Sequence, residues 1–261
     1  MNKHILMTIL IFCYGINSTC QSIVNTEKLF NDTEDGFATA AELMGSAISG
    51  NANVLLVEYS MNFRYRWGKN NLKLLTGGEF IREDQADVSN NLFSQLRYNY
   101  HFNDKNRLVS LYQIQYNKVL LLNRRQLLGL GLRHRLIDKG SDSTNRFKSD
   151  FTLGIMQEEE QLNAETLQIG EKNYTNYTRS MLSMVISIEL GKNFTFINTT
   201  YFQQYLKNLT DFRLFNEVNL IFKINKWLSL SCDFEFRHDS EPPSSLKSND
   251  FNTNAGLMLS F

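Results

Sequence analysis

Three histidines, His101, His134 and His238, and the carboxylates near them are the side chains whose types suit acid–base or nucleophilic chemistry. Asp233 and Glu235 precede His238, but on an extended strand their odd spacing from it places them on the face opposite the ring, which argues against a shared dyad. His134 lies between Arg133 and Arg135 and shares parity with Leu130 and Leu132, a position suited to a membrane interface. His101 falls on the polar face of its segment, toward one end. Scattered histidines of this kind are commonly polar wall residues, so no catalytic residue and no enzyme is expected. Cys13, Cys20 and Cys232 have neither zinc-ligand nor C-x-x-C spacing, so no metal or other cofactor and no disulfide framework is expected. Glu158-Glu159-Glu160 could attract a divalent cation, but reads better as the solvated acidic tip of a loop. Asn173-Tyr174-Thr175 and Asn176-Tyr177-Thr178 match a glycosylation acceptor by chance in a chain rich in Asn and Thr.

The more numerous candidates are charged side chains interleaved with apolar ones. Arg64, Arg66, Arg97, Arg133 and Arg135, together with Glu58, Arg213 and Glu217, are pore-lining candidates: rings of guanidinium and carboxylate groups select permeating solutes by charge. An excess of arginine among them would favour anions. Salt-bridge ladders that fill a lumen are the competing use of the same residues. Either use requires elements that turn all of these side chains the same way.

The elements are legible in the alternation. From Val54 to Trp67 the face Leu55, Val57, Tyr59, Met61, Phe63, Tyr65, Trp67 opposes Glu58, Ser60, Asn62, Arg64, Arg66. A two-residue period sustained for so long is a strand lying between two different solvents and is unusable by a helix. The pattern recurs at Leu92 to Phe102, Leu128 to Arg135, Leu182 to Leu190, Phe212 to Ile224, Leu228 to Arg237 and Phe251 to Phe261. Weaker segments at Phe37 to Ser49, Asn71 to Ile81, Leu108 to Lys118, Phe147 to Gln157 and Phe194 to Leu206 fill the intervals. The total is about twelve strands, an even number as single-chain outer-membrane barrels require.

Connections alternate in length. Tight polar turns at Gly68-Lys69-Asn70, Asn103 to Asn106, Gly191-Lys192-Asn193 and Asn225-Lys226 are separated by longer loops at Arg82 to Asp87, Glu158 to Asn173 and Asp239 to Asn249, the last holding both prolines, Pro242 and Pro243. Asp138 to Asn145 is long for a tight turn, and Tyr116 to Gln126 has no clear turn residues. A soluble β-sandwich also alternates apolar and polar residues, but its strands are shorter and its turns come every 8 to 12 residues or so. Aromatics near strand ends, such as Trp67, Tyr100, Phe102, Trp227 and Phe261, suit interfacial girdles. The expected fold is all-β, an antiparallel transmembrane β-barrel of the outer-membrane type, closed because lipid offers an open strand edge no hydrogen-bond partner.

The chain of 261 residues carries 27 basic and 27 acidic side chains, is 42% hydrophobic, and has no seam rich in Pro, Gly or Ser. That excludes a disordered tail and a basic nucleic-acid binder, and one folded unit follows. Lys3 and His4, the apolar run Ile5 to Ile16 and small, polar Ser18-Thr19-Cys20 form a signal-peptide pattern ending before Gln21. Twelve or so apolar residues fall short of the ~20 that a spanning helix needs. Lipidation of Cys20 is disfavoured by Asn17, which stands where lipoprotein signals carry an apolar residue. The expected organisation is a signal peptide over 1–20, a short segment over 21–36 and a barrel over 37–261.

The last eight residues, Asn254-Ala255-Gly256-Leu257-Met258-Leu259-Ser260-Phe261, end in an aromatic after alternation and a Gly. They look like the C-terminal signal read by the outer-membrane barrel assembly machinery. With Glu42-Leu43-Met44-Gly45-Ser46-Ala47-Ile48-Ser49-Gly50-Asn51 and the stretch Arg237 to Asp250, the mature chain resembles the salt-induced outer-membrane protein family, domain-of-unknown-function family 481. Ala52 stands where that family often carries Thr. The resemblance implies an outer-membrane location, a barrel fold and a link to salt or osmotic stress, without an activity. The expected function is a narrow passive channel for small polar or anionic solutes, monomeric and surrounded by outer-membrane lipid. The alternative is a non-conducting structural or surface-interaction protein of the envelope acting through its long loops, and a barrel hydrolase dependent on His101 or His238 ranks third.

Overall fold

The alternating and apolar segments form twelve strands: β1 (Gly36–Ile48), β2 (Val54–Trp67), β3 (Asn70–Glu83), β4 (Ala86–His101), β5 (Asn106–Asn117), β6 (Leu122–Lys139), β7 (Asn145–Leu162), β8 (Tyr174–Leu190), β9 (Phe194–Tyr205), β10 (Phe212–Lys223), β11 (Leu228–Asp239) and β12 (Asn249–Ser260). The computed structural model describes residues 35–48, 54–83, 86–118, 120–140 and 145–261. The signal peptide expected over 1–20 lies outside them, as does the segment expected over 21–36 except for Asp35 and Gly36. Every strand runs antiparallel to its chain neighbours, and β12 returns to β1 to close the barrel. The shortest strands have 12 residues, enough for a tilted strand to cross a bilayer core, which takes about 9–11.

Side-chain parity sorts the two solvents. On β6, Leu128, Leu130 and Leu132 point out, 51–60% exposed, and on β7 Leu153 and Ile155 do the same at 57%. Between them Arg125, Leu127, Arg133, Met156 and Glu158 point in and are buried. Outward aromatics collect at the end with the tight turns, where Tyr65 stacks on Trp67 at 5.2 Å and Phe194 packs on Phe222 at 4.9 Å. Gly68 and Gly191 occupy left-handed backbone at φ +53° and +63° in two of those turns, a conformation that side chains with a Cβ resist.

Three details differ from the sequence reading. β3 extends to Glu83 and β4 starts at Ala86, so Arg82, Glu83, Ala86 and Asp87, expected in a loop over Arg82 to Asp87, belong to strands. β7 continues through the acidic triplet to Leu162, so Glu158 and Glu160 are inward strand residues and no solvated tip forms. The hidden turn between β5 and β6 is made by Lys118 to Leu121: the Leu121 N–H donates to the Lys118 carbonyl at 3.1 Å, and Leu121 adopts φ +58°. Leu120 is buried there at 5% exposure, so an apolar residue caps the barrel mouth where a polar turn signal was sought.

The inner wall is also less polar than alternation implies. Leu111, Leu127, Met156, Met181, Tyr201 and Phe215 form a buried arc from β5 to β10. A second cluster joins Ala40, Leu75, Val185, Ile197, Ile221 and Met258, with Phe93 packed against it.

Candidate functional site

All eight pore-lining candidates stand on the inward face, because each shares parity with buried neighbours on its strand. Arg64 and Arg97 are buried on β2 and β4. Arg66 reaches Asp35 at 3.3 Å beside the short-turn end. At the same end, Arg133 Nη2 donates to Asp150 Oδ2 at 3.0 Å and Arg135 Nε to Asp150 Oδ1 at 3.0 Å. Arg107 Nη2 meets the same carboxylate at 3.4 Å. One aspartate thus gathers three guanidinium groups from β5 and β6. Glu58 accepts from Asn254 Nδ2 at 2.9 and 3.0 Å. Glu217 accepts from Asn219 Nδ2, which also donates to Asp233 at 2.8 Å.

Arg213 belongs to a second lattice, at the end with the longer loops. Its Nη1 donates to Glu158 Oε1 at 2.6 Å and to Glu160 Oε1 at 2.7 Å, and its Nε to Asp239 Oδ2 at 2.8 Å. Arg125 grips Glu160 from β6 at 2.5 Å. Arg179 on β8 donates through Nη1 to Asp211 Oδ1 at 2.6 Å and lies over the Tyr177 and Tyr205 rings at 5.4 and 5.8 Å. Charge-assisted bonds this short, between side chains that are almost wholly buried, order the wall because neither partner has water as an alternative.

The signs are segregated around the ring. Arg64, Lys73, Arg97, Arg107, Arg125 and Arg133 are buried on β2 to β6 beside a single buried carboxylate, Glu79, whereas Asp150, Glu158, Glu160, Glu217, Asp233, Asp239 and Asp250 are buried on β7 and β10 to β12 beside Arg213 and Arg237. The interior therefore has a predominantly basic wall facing a predominantly acidic one. The arginine surplus expected from the sequence disappears once Glu79, Glu158, Glu160, Asp239 and Asp250 take their inward places. Glu158 and Glu160 are the members that the alternation of weaker segments obscured. The period of two does continue through β7, and following it past Gln157 would have found both glutamates.

Above the Arg213 lattice lies a cavity of about 340 Å³, bounded below by Arg125, Glu160 and Arg179 and above by the loops. The loops are latched to one another. Ser244, after β11, donates through its backbone N–H and hydroxyl to Glu171 Oε1 at 2.7 and 2.6 Å, joining the β7–β8 and β11–β12 loops. The Ser244 hydroxyl, then its N–H, hold the exposed Glu171 carboxyl below the usual glutamate range. Asn208 and Thr210 of the β9–β10 loop each donate to Glu241 Oε1 at 3.0 Å.

The histidines are dispersed. His101 faces inward, while His134 and His238 face outward and pair with Asn106 and Asn249 at 2.7 and 2.8 Å. Asp233 and Glu235 lie on the other face of β11 from His238, so no dyad forms on that strand. Among the described residues no group of three or more His, Cys, Asp or Glu side chains has the arrangement of a metal site.

A family model described as "Protein of unknown function, DUF481" matches residues 41–261. None of the curated protein sequences matches. Among solved structures the chain is similar to the KdgM porin at 12% identity, with 86% of this chain and 99% of that one covered and a TM-score of 0.45. The NanC porin is similar at 7% identity, with coverages of 85% and 97% and a TM-score of 0.46. The translocator domain of the autotransporter NalP from Neisseria meningitidis is similar at 10% identity, with coverages of 88% and 90% and a TM-score of 0.47.

Proposed function

From its membership of the DUF481 family, whose description carries no activity, and from the geometry of its inner wall, we propose that this protein is an outer-membrane channel. It passes small polar solutes passively and does no covalent chemistry. The observation that carries the reading is the segregation of buried charge inside a closed barrel with an apolar exterior. A predominantly basic wall on β2 to β6 facing a predominantly acidic wall on β7 and β10 to β12 sets a field across the lumen. Such a field orients dipolar and zwitterionic solutes, gives anionic groups a track along the arginines, and disfavours apolar solutes, which would strip water from the charged wall without replacing its hydrogen bonds. Arg64, Arg66, Arg97, Arg133 and Arg135 form that track, with Glu58 and Glu217 as its counter-charges and Arg213 holding the carboxylates at the loop end.

Orientation follows from loop length, with the tight turns and both strand termini in the periplasm and the latched loops outside. The C-terminal strand delivers the chain to the barrel assembly machinery, and closure favours a monomer in lipid. The family resemblance adds a role under salt or osmotic stress.

A non-conducting envelope barrel is the second reading, favoured by the depth of burial inside: Gln95 and Gln113 are 0% exposed and Arg179 is 1% exposed. Passage past such groups requires the lattice to part. Single-channel recording of the refolded protein in a planar bilayer, with reversal potentials in a salt gradient, separates the two. Discrete steps that shift toward cation preference in Arg97→Gln/Arg133→Gln support the channel. Silence from a barrel whose folding is demonstrated by heat-modifiable gel mobility refutes it.

A further inference from the structure

Three polar side chains, Asn198, Thr200 and Asn216, lie on the lipid face of the barrel. They alternate with buried Ile197, Thr199, Phe215 and Glu217, so parity turns them outward on β9 and β10, where all three are half-buried. Aromatic pairs fix their depth. Phe194 packs on Phe222 at 4.9 Å toward the tight turns and Phe202 on Phe212 at 5.7 Å toward the loops, and the polar side chains lie between these pairs on both strands. Aromatic bands mark the two edges of the hydrocarbon core, so the cluster sits near its middle. The neighbouring outward positions are apolar: Met184 and Ile186 on β8, Val218 on β10 and Phe234 on β11.

Hydrogen bonds within the cluster satisfy only part of it. Asn198 Nδ2 donates to Asn216 Oδ1 at 3.3 Å and to the Glu217 carbonyl at 3.4 Å, and Asn216 Nδ2 donates to Thr200 Oγ1 at 2.8 Å. Asn198 Oδ1, the second Asn216 Nδ2 hydrogen and the Thr200 hydroxyl hydrogen are left without a partner among the described residues. A hydroxyl alone on this belt is easily satisfied, as Thr76 on β3 shows by donating to the Phe93 carbonyl at 3.1 Å. A carboxamide has two donor hydrogens and an acceptor oxygen to place, and lipid offers it nothing. Leaving such groups in hydrocarbon is costly, so a polar partner that replaces lipid there gains affinity.

We propose that the β9–β10 face binds a second copy of this chain, two finished barrels associating side by side in the membrane. The acceptor and the donors belong to one hydrogen-bonded cluster, so the patch is self-complementary. A two-fold axis along the membrane normal brings the Asn198 acceptor of each copy to the amide and hydroxyl donors of the other. Phe196, Phe202 and Val218 around the cluster then pack against protein in place of lipid. The backbone ring is complete in each copy, so folding needs no partner and the association rests on side chains alone. This goes beyond the channel reading and holds whether or not the lumen conducts.

The test uses the mature barrel in phospholipid vesicles, with Ser245→Cys in a Cys232→Ser background carrying donor or acceptor dyes. Energy transfer between copies is followed as added lipid dilutes the protein. The intact patch should give a monomer–dimer isotherm, and Asn198→Leu/Asn216→Leu should shift it about tenfold or more toward monomer. Heat-modifiable gel mobility verifies that the double variant, whose leucines suit the lipid face, is folded. Thr76→Leu, which removes a lipid-facing hydroxyl six strands away from β9, should leave the isotherm unmoved. Independently, Thr200→Cys in the Cys232→Ser background should form an inter-chain disulfide on oxidation, whereas Leu130→Cys on β6 should not. Transfer no greater than random proximity at every dilution, an isotherm unmoved by the double variant, or equal cross-linking through Leu130→Cys overturns the proposal.

Discussion

Replacing Arg213 by methionine tests whether the loop-end lattice is a dry, ordered wall. The substitution keeps much of the side-chain volume and removes a guanidinium that serves three carboxylates, Glu158 at 2.6 Å, Glu160 at 2.7 Å and Asp239 at 2.8 Å. Glu160 keeps Arg125 at 2.5 Å, whereas Glu158 keeps only the longer contact to Arg179 at 3.5 Å in its recorded ion pairs. The deficit therefore falls mainly on Glu158, which is wholly buried. Removing one partner of a buried pair costs about 3–5 kcal/mol, because the remaining charge is left uncompensated. Arg213→Met should lower the unfolding free energy by that amount. Adding Glu158→Gln, which deletes the stranded charge, should return about 1.5–3 kcal/mol, the scale of a hydrogen bond to a charged group. Reversible urea unfolding in phospholipid vesicles measures both. The chain's two tryptophans, Trp67 and Trp227, are exposed on the outward face at the short-turn end and distant from the substitutions, so their fluorescence reports global unfolding. A loss below about 1 kcal/mol with no recovery in the double variant would place the lattice in water, where ion pairs contribute little, and would refute the reasoning.

Other consequences are equally direct. Leu130→Arg, on the outward face of β6, should cost about 2–4 kcal/mol in the same unfolding assay, against about 0–1 for Trp67→Arg at the interface. Gly256→Ala places a methyl on Met44 and on the Leu43 carbonyl, 2.5 Å away, and should lower the temperature at which the folded gel band is lost. The Glu171 latch has a pH signature. Its carboxyl is held below the ordinary glutamate value, so its contribution is complete above that value and is lost as pH falls through the depressed one. Limited proteolysis of the β7–β8 and β11–β12 loops should accelerate in that acidic window, and Ser244→Ala should shift the acceleration to higher pH. An unchanged cleavage profile in the variant would show that the latch does not hold the loops.

The outward face was legible from residue order alone. Leu55 to Trp67 and Leu128 to Leu132 alternate so regularly that only a strand between unlike solvents accommodates them, and a period of two needs no tertiary information. Strand number, the tight turns at Gly68 and Gly191 and the inward parity of Arg64, Arg97, Arg133 and Arg213 follow from the same count. Where inward positions are apolar, as at Leu75, Leu111 and Phe215, both faces of a strand look alike and the pattern fades, although the backbone keeps its period. Glu158-Glu159-Glu160 misled for the converse reason: three identical charges resemble a solvated tip, while the strand sends the first and third inward to Arg213 and the second outward. Partner choice was beyond the sequence. Arg213 meets Glu158 across 55 intervening steps of chain and Asn254 meets Glu58 across 196, distances that only closure of the ring abolishes. The gathering of buried cations on β2 to β6 and of buried carboxylates on β7 and β10 to β12 likewise arises only when strands remote in sequence become neighbours in one cylinder.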